Sequence, residues 1–370
     1  MDFNLTEEQG AIQKAAREFL EKEAKDLVRE VEETHEGYSL ELWRKMADLG
    51  WMGISFPDEY GGSRGDFMDL ILVLEEMGRA LVPGPFISSM VCSGHTLLKY
   101  GSEAQKKEFL PKLTSGKFVM APALIEPNSS TAQGIVRDQV VMEKGDYVLS
   151  GTRLFVHYAH LADWFIYRAE TNKGNTLFVV NAKSLGVNYS LLRTIAPDRQ
   201  CEVVFDKVRV PMTNILGEVG KGEEIVSKIN EWGALSQCGF ILGLLEQVLK
   251  MSVEYVKKRE QFGKLIGSFQ IIQHQCADMA TDIDEVKFLT YQAAWKLREQ
   301  LPATKDISMA KARASDACRR VSLLGTKIHG GIGIIVDYDM QLFFRRAKAA
   351  ELAFGDADFH REIVAQELGL

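Results

Sequence analysis

The feature that most constrains this chain is a hydrophobic period that switches twice. Up to about Gly116 the apolar residues recur at helical spacing. From Phe118 to about Phe205 they fall in short alternating runs, and after Val219-Gly220-Lys221-Gly222 helical spacing returns and holds to the end. A period of 3.6 buries one stripe of a helix and a period of 2 buries one face of a strand, so no single element type can serve throughout. The spacing therefore predicts an α+β chain. It would have an N-terminal all-α domain over 1–117, a central β-barrel or sandwich domain over 118–220 and a C-terminal four-helix bundle over 221–370.

Local signals fill in this outline. Thr6, with Gln9 three residues on, reads as an N-cap, and Glu7 to Val31 then places Ile12, Ala15, Ala16, Phe19, Leu20 and Leu27 on one helical stripe. Leu40 to Leu49 repeats the pattern, Asp58 to Gly62 is a turn, and Asp66 to Leu81 is a helix ended by Pro83-Gly84-Pro85. His95 to Tyr100 and Glu103 to Leu113 complete the first segment. Val136 to Met142, Tyr147 to Leu149, Trp164 to Tyr167, Thr176 to Val180 and Cys201 to Phe205 read as strands. No long helix separates them and no GxGxxG follows one, so a doubly wound dinucleotide-binding sheet is not expected. Glu223 to Arg259, Phe269 to Leu301, Thr304 to His329 and Tyr338 to Leu352 are the four bundle helices.

Composition excludes several function classes. A net charge of -7 argues against nucleic-acid binding, and Lys257-Lys258-Arg259 is too short to reverse it. Five scattered cysteines, none in a CxxC pair, suggest neither a disulfide framework nor a zinc site, which fits a reducing cytoplasm. The acidic, polar N-terminus lacks the pattern of a signal peptide, and no apolar run is long enough to span a bilayer. The expectation is a cytoplasmic protein without a membrane segment. His157 and His160 invite a metal reading, but positions three apart on a strand face opposite sides and no third ligand is near, so no metal site is expected.

Three segments carry a resemblance. By family motif they are Arg259-Glu260-Gln261-Phe262-Gly263 with Ile266-Gly267-Ser268-Phe269-Gln270, then Gly325 to Gly333 with its His329-Gly330-Gly331, and Leu124-Ile125-Glu126-Pro127, which comes first along the chain. Together they resemble the RxxFGxxIxxFQ, GxQxHGGxG and TEPxxGSD segments of the acyl-CoA dehydrogenase family. The resemblance implies FAD at a subunit interface, with the flavin in one subunit's β-domain and the pyrophosphate and adenosine end held by the partner's bundle. It puts Arg259, Phe262, Gln270, Lys327, Gly330 and Gly331 at the donated end, with Lys327 where the family usually has glutamine. The chemistry is consistent: a guanidinium pairs with phosphate oxygens in a plane, and paired glycines let backbone approach a phosphate. Phe155 and His157 fall at positions bordering the flavin ring.

The base positions depart from the family. Its usual glutamate near the C-terminus is replaced by Phe354, and its other base position, on the first bundle helix, aligns with Gly233, followed by Ala234 where an arginine is expected. Ile125 stands for the threonine of TEP, and Asn128-Ser129-Ser130-Thr131-Ala132 for the glycine-rich stretch. Asp356 is the first substitute base to consider, ahead of Glu231 and Glu351; each has an alternative as an ordinary surface or capping carboxylate.

What the resemblance then implies is FAD-dependent α,β-desaturation of an acyl-CoA thioester, with electron-transfer flavoprotein as acceptor. One expectation is a heterotetramer in which a homologous acyl-CoA dehydrogenase subunit supplies the base. The alternatives are an active homo-oligomer using Asp356 on an unusual acyl-CoA, a non-redox acyl-CoA lyase or hydratase, and a purely structural role.

Overall fold

A computed structural model describes residues 4–24, 26–129, 131, 132, 134, 138, 140–196 and 198–370. The order of elements is helical, then sheet, then helical, as the two switches of period require. Six helices come first: α1 (Glu7–Glu23), α2 (Leu27–Glu32), α3 (Leu40–Asp48), α4 (Phe67–Arg79), α5 (His95–Tyr100) and α6 (Glu103–Thr114). A π-helical stretch, Ile87–Gly94, runs directly into α5.

Polar caps set several starts. Thr6 and Gln9 form a reciprocal capping box, the Gln9 amide donating to Thr6 Oγ1 at 3.2 Å and the Thr6 amide to Gln9 Oε1 at 3.1 Å. Asp66 with Asp69, and Ser102 with Gln105, repeat the device at α4 and α6. The single helix expected over Glu7 to Val31 is in fact two, parting after Glu23. Leu20, Ala24, Val28 and Val31 are buried at helical spacing on both sides of the break, so periodicity reads straight through it.

Among the described residues the β-domain has eight strands: β1 (Met120–Ala123), β2 (Val141–Glu143), β3 (Asp146–His157), β4 (Trp164–Thr171), β5 (Gly174–Asn181), β6 (Val187–Leu192), β7 (Gln200–Pro211) and β8 (Ile215–Leu216). They form two four-stranded sheets in the orders β1-β4-β5-β8 and β2-β3-β7-β6. All pairs are antiparallel except β1 with β4. Their inner faces share one core, in which Tyr147 of β3 meets Phe178 of β5 and Tyr167 of β4 meets Phe205 of β7. Of the strand expected over Val136 to Met142, Val136, Arg137 and Gln139 lie outside the described residues, and β2 begins at Val141.

The last segment comprises α7 (Gly222–Val256), a ribbon of β9 (Glu260–Gln261) and β10 (Lys264–Leu265), then α8 (Gln270–Arg298), α9 (Thr304–His329), α10 (Met340–Leu352) and α11 (Ala357–Glu367). Helix α11 was not expected: it follows the Phe354-Gly355 turn and packs on α9, so the bundle has one helix more than periodicity located. By its contacts the chain falls into two compact units. One comprises 1–28, 66–82 and 234–370; the other comprises 29–65 and 83–233. In the first, Arg17 of α1 pairs with the buried Glu76 of α4 at 2.7 Å, and Tyr291 of α8 donates to Glu75 Oε2 at 2.8 Å. Among the described residues, no helix is long and apolar enough to cross a membrane.

Candidate functional site

One end of the bundle collects the residues singled out at the C-terminal motifs. Helix α7 stops at Val256, and the Arg259 amide donates back to Tyr255 O at 2.9 Å. Strands β9 and β10 then fold as a two-residue hairpin whose corner is Phe262 (φ 53°) and Gly263 (φ 77°). Both corner residues at positive φ is the twist that closes such a hairpin without splaying it. The Phe262 ring at the tip is 92% exposed, an unusual position for so large an apolar group. The Ile266 amide donates to Arg259 O at 2.8 Å, returning the chain to the start of α8 at Gln270.

Helix α9 ends at the same place. The buried His329 stacks on Tyr255 with ring centroids 4.5 Å apart, which ties the last turn of α9 to the last turn of α7. Its Nδ1–H donates to Gly325 O at 2.7 Å, fixing the tautomer, and burial lowers its pKa, so the ring is neutral. Gly330 follows with φ 65° and ψ -141°, a backbone that favours glycine, and nothing stands within 4 Å of where a Cβ at 330 or 331 would lie. The Gly330 amide is already spent on Lys327 O and Thr326 O, so this N–H is committed within the turn. Arg259, Phe262, Gln270, Lys327, Gly330 and Gly331 are all exposed here, as are Ile334 and Val336 of the following turn.

An open turn flanked by exposed Arg259 and Lys327 has the charge and room that a pyrophosphate needs. The donor set therefore fits the phosphate end of FAD. The apolar side chains around it would remain in water unless another chain covers them.

In the β-domain, β3 carries the positions expected beside a flavin ring. Its pairing with β7 slips between Arg153 and Val156, and inside that slip Phe155 takes φ 56° and stands 46% exposed. Ile125 bridges to Leu154, the Leu154 amide donating to Ile125 O at 2.9 Å, so the altered Ile125 segment runs beside Phe155. His157 ends β3 opposite Gln200, and burial lowers its pKa against the pull of Asp198. His160 is on no strand. It lies in the 3-10 turn Ala159–Leu161 and faces Glu36 O at 3.1 Å, so the alternation argument did not apply to it. In the replaced glycine-rich stretch, Ser130 is outside the described residues; the Ser129 hydroxyl donates to Thr131 O at 2.8 Å.

The base positions are apolar. Phe354 sits after α10 with φ 59°, and Gly233 lies within α7. Asp356 is the N-cap of α11, accepting from the Phe359 amide at 3.0 Å. Glu351 is buried and pairs with Lys348 at 3.0 Å, and Glu231 pairs with Lys228 at 2.8 Å.

Lys311 and His360 drew no notice in the sequence, yet both hold the turn that carries Phe354. Lys311 lies on the buried stripe of α9 with Ile307, Ala314 and Cys318, and a lysine on an apolar stripe is the signal that could have found it.

Family models described as the acyl-CoA dehydrogenase N-terminal domain and C-terminal domain match residues 6–117 and 220–369. The acryloyl-CoA reductase (NADH) of Anaerotignum propionicum is 33% identical over 100% of this chain and 96% of its own length. A caffeyl-CoA reductase–Etf complex subunit of Acetobacterium woodii is 33% identical over 97% and 98%. The solved ChsE4-ChsE5 complex of Mycobacterium tuberculosis contains a chain of similar structure. It superposes with a TM-score of 0.93 at 29% identity, covering 100% of this chain and 99% of that one.

Proposed function

Because the chain belongs to the acyl-CoA dehydrogenase family, FAD-dependent oxidoreductases acting on CH–CH bonds, we propose that it serves α,β-desaturation of an acyl-CoA thioester, or the reverse, as one subunit of a heteromeric assembly. One observation carries this reading. The residues suited to the phosphate end of FAD gather at one open end of the bundle, while both of the family's base positions hold groups that cannot take a proton, Phe354 and Gly233.

In this reading Arg259 and Lys327 neutralise the pyrophosphate, and Gly330 and Gly331 leave it room. Phe155 forms an apolar wall on the β-domain side, with His157 next to it. When bound, the flavin supplies the hydride acceptor, and electron-transfer flavoprotein is the external electron carrier. Removal of the α-proton falls to a carboxylate of a homologous partner subunit. Exposed Phe262, Ile334 and Val336 support a partner at this end, since large apolar side chains left open to water are what another chain would cover. The similar ChsE4-ChsE5 chain comes from a complex of two different chains, which favours the same arrangement. Asp356 as a substitute base is the less favoured reading, because its carboxylate is engaged in capping α11.

The test is to produce the chain with and without a homologous, glutamate-bearing subunit from the same source. Each preparation is mixed anaerobically with butyryl-CoA and the flavin absorbance followed. Bleaching only in the mixed preparation is expected, and full bleaching by this chain alone would defeat the proposal.

A further inference from the structure

Phe354 holds a left-handed backbone at φ 59°, followed by Gly355 at φ 98°. A non-glycine residue there is strained and persists only where its surroundings over-determine it. Two elements do so. Lys311 on α9 is fully buried, and its ammonium donates to Ser315 Oγ at 2.8 Å, Glu351 O at 3.0 Å and Gly355 O at 2.7 Å. All three of its protons thereby reach neutral oxygens, and Ser315 in turn donates to Glu351 O at 3.0 Å. From α11, His360 Nε2–H donates to Phe354 O at 2.9 Å, while its Nδ1 faces the Ser308 hydroxyl at 3.3 Å. Burial lowers the His360 pKa to about 4, so the ring is neutral, with one donor and one acceptor, as these two partners require.

A buried ammonium is a costly way to end a helix, because an apolar side chain of similar length would fill the same volume without desolvating a charge. Its yield is geometric, since two of its bonds land on carbonyls that bracket residue 354. We propose that Lys311 is a positioning residue that sets the conformation at 354, so that the side chain there meets the acyl thioester in one orientation. With phenylalanine in place, the turn presents a fixed apolar wall, and residue 354 selects the acyl group. This rests on the reading of 354 as the former base position. The restraint itself is independent of what residue 354 does.

The experiment places 4-fluorophenylalanine at position 354 of the full chain and compares it with the same label in Lys311→Met, by fluorine NMR and by amide exchange over 353–356. One sharp resonance is expected in the parent. In Lys311→Met it should split or broaden, and those amides should exchange at least about tenfold faster while the melting temperature stays within a few degrees. An unchanged resonance with unchanged exchange overturns the proposal. So does loss of melting temperature without change at 354, which would make the lysine a helix cap alone. Should Lys311→Met fail to fold, Ser315→Ala decides by the same two signals, having removed one acceptor of Lys311 and one bond to Glu351. Adding butyryl-CoA to the FAD-loaded assembly tests the other reading separately: a fluorine signal that does not move there removes 354 from the substrate site, whatever Lys311 does.

Discussion

Replacing Asp356 separates capping from catalysis. Its carboxylate accepts from the Phe359 amide at 3.0 Å on an exposed turn, with Asp358 adding negative charge in the first turn of α11. Removing an N-cap oxygen typically costs about 1 kcal/mol, while asparagine caps about as well as aspartate. Asp356→Ala should therefore lose roughly 1 kcal/mol, and Asp356→Asn a few tenths, the remainder being the lost charge at the helix N-terminus. At about 2 cal/mol/K per residue, 1 kcal/mol moves the melting point by only about 1 °C if all 370 residues unfold together. Denaturant midpoints at constant slope are the more sensitive assay. Turnover of the assembled enzyme should be unchanged in Asp356→Asn. A loss of several orders of magnitude in that variant, with stability intact, would refute the capping account and restore Asp356 as the base.

Arg259→Ala should weaken FAD binding by the assembly roughly 10–100-fold, as expected for charge-assisted bonds to phosphate, and fluorescence titration with FAD reads this directly. Phe262→Ser, at a hairpin tip where the ring is almost wholly exposed and meets Phe269 edge-on, should leave the melting point within about 1 °C while raising the subunit dissociation constant, measured by sedimentation. Glu75 is buried on α4, and burial with Glu246 nearby pushes its pKa up to about 7. The folded state thus binds the proton more tightly than the unfolded chain, so this group's contribution falls as pH rises from about 5 to about 7, by roughly 2–3 kcal/mol at most. Glu75→Gln should flatten that slope in denaturant unfolding, and a slope that survives the substitution excludes Glu75 as its source.

Much of this architecture can be read from residue spacing, and the exceptions have physical causes. Periodicity located α9 to the residue at both ends, because its buried stripe is continuous and Gly330 closes it. It ran through the α1–α2 break, because Leu20, Ala24, Val28 and Val31 keep helical spacing across it. Helix α11 escapes the sequence reading because its start signal, Asp356, reads there as a candidate substitute base, while its carboxylate in fact serves as an N-cap. At the site, the residue types of the C-terminal motifs were legible. Their gathering at one end was not, since it depends on the stack of His329 on Tyr255, two residues far apart in sequence. The clamp around Phe354 is likewise invisible to spacing: Lys311 bonds backbone carbonyls, which every residue possesses and no sequence advertises.

The most direct test of the central claim, that Arg259 and the Gly330–Gly331 turn hold FAD only across a subunit boundary, is FAD binding followed at increasing protein concentration alongside sedimentation. Flavin uptake should track assembly and drop out as subunits separate, with Arg259→Ala shifting uptake but not assembly. Stoichiometric FAD on a monomer would contradict it.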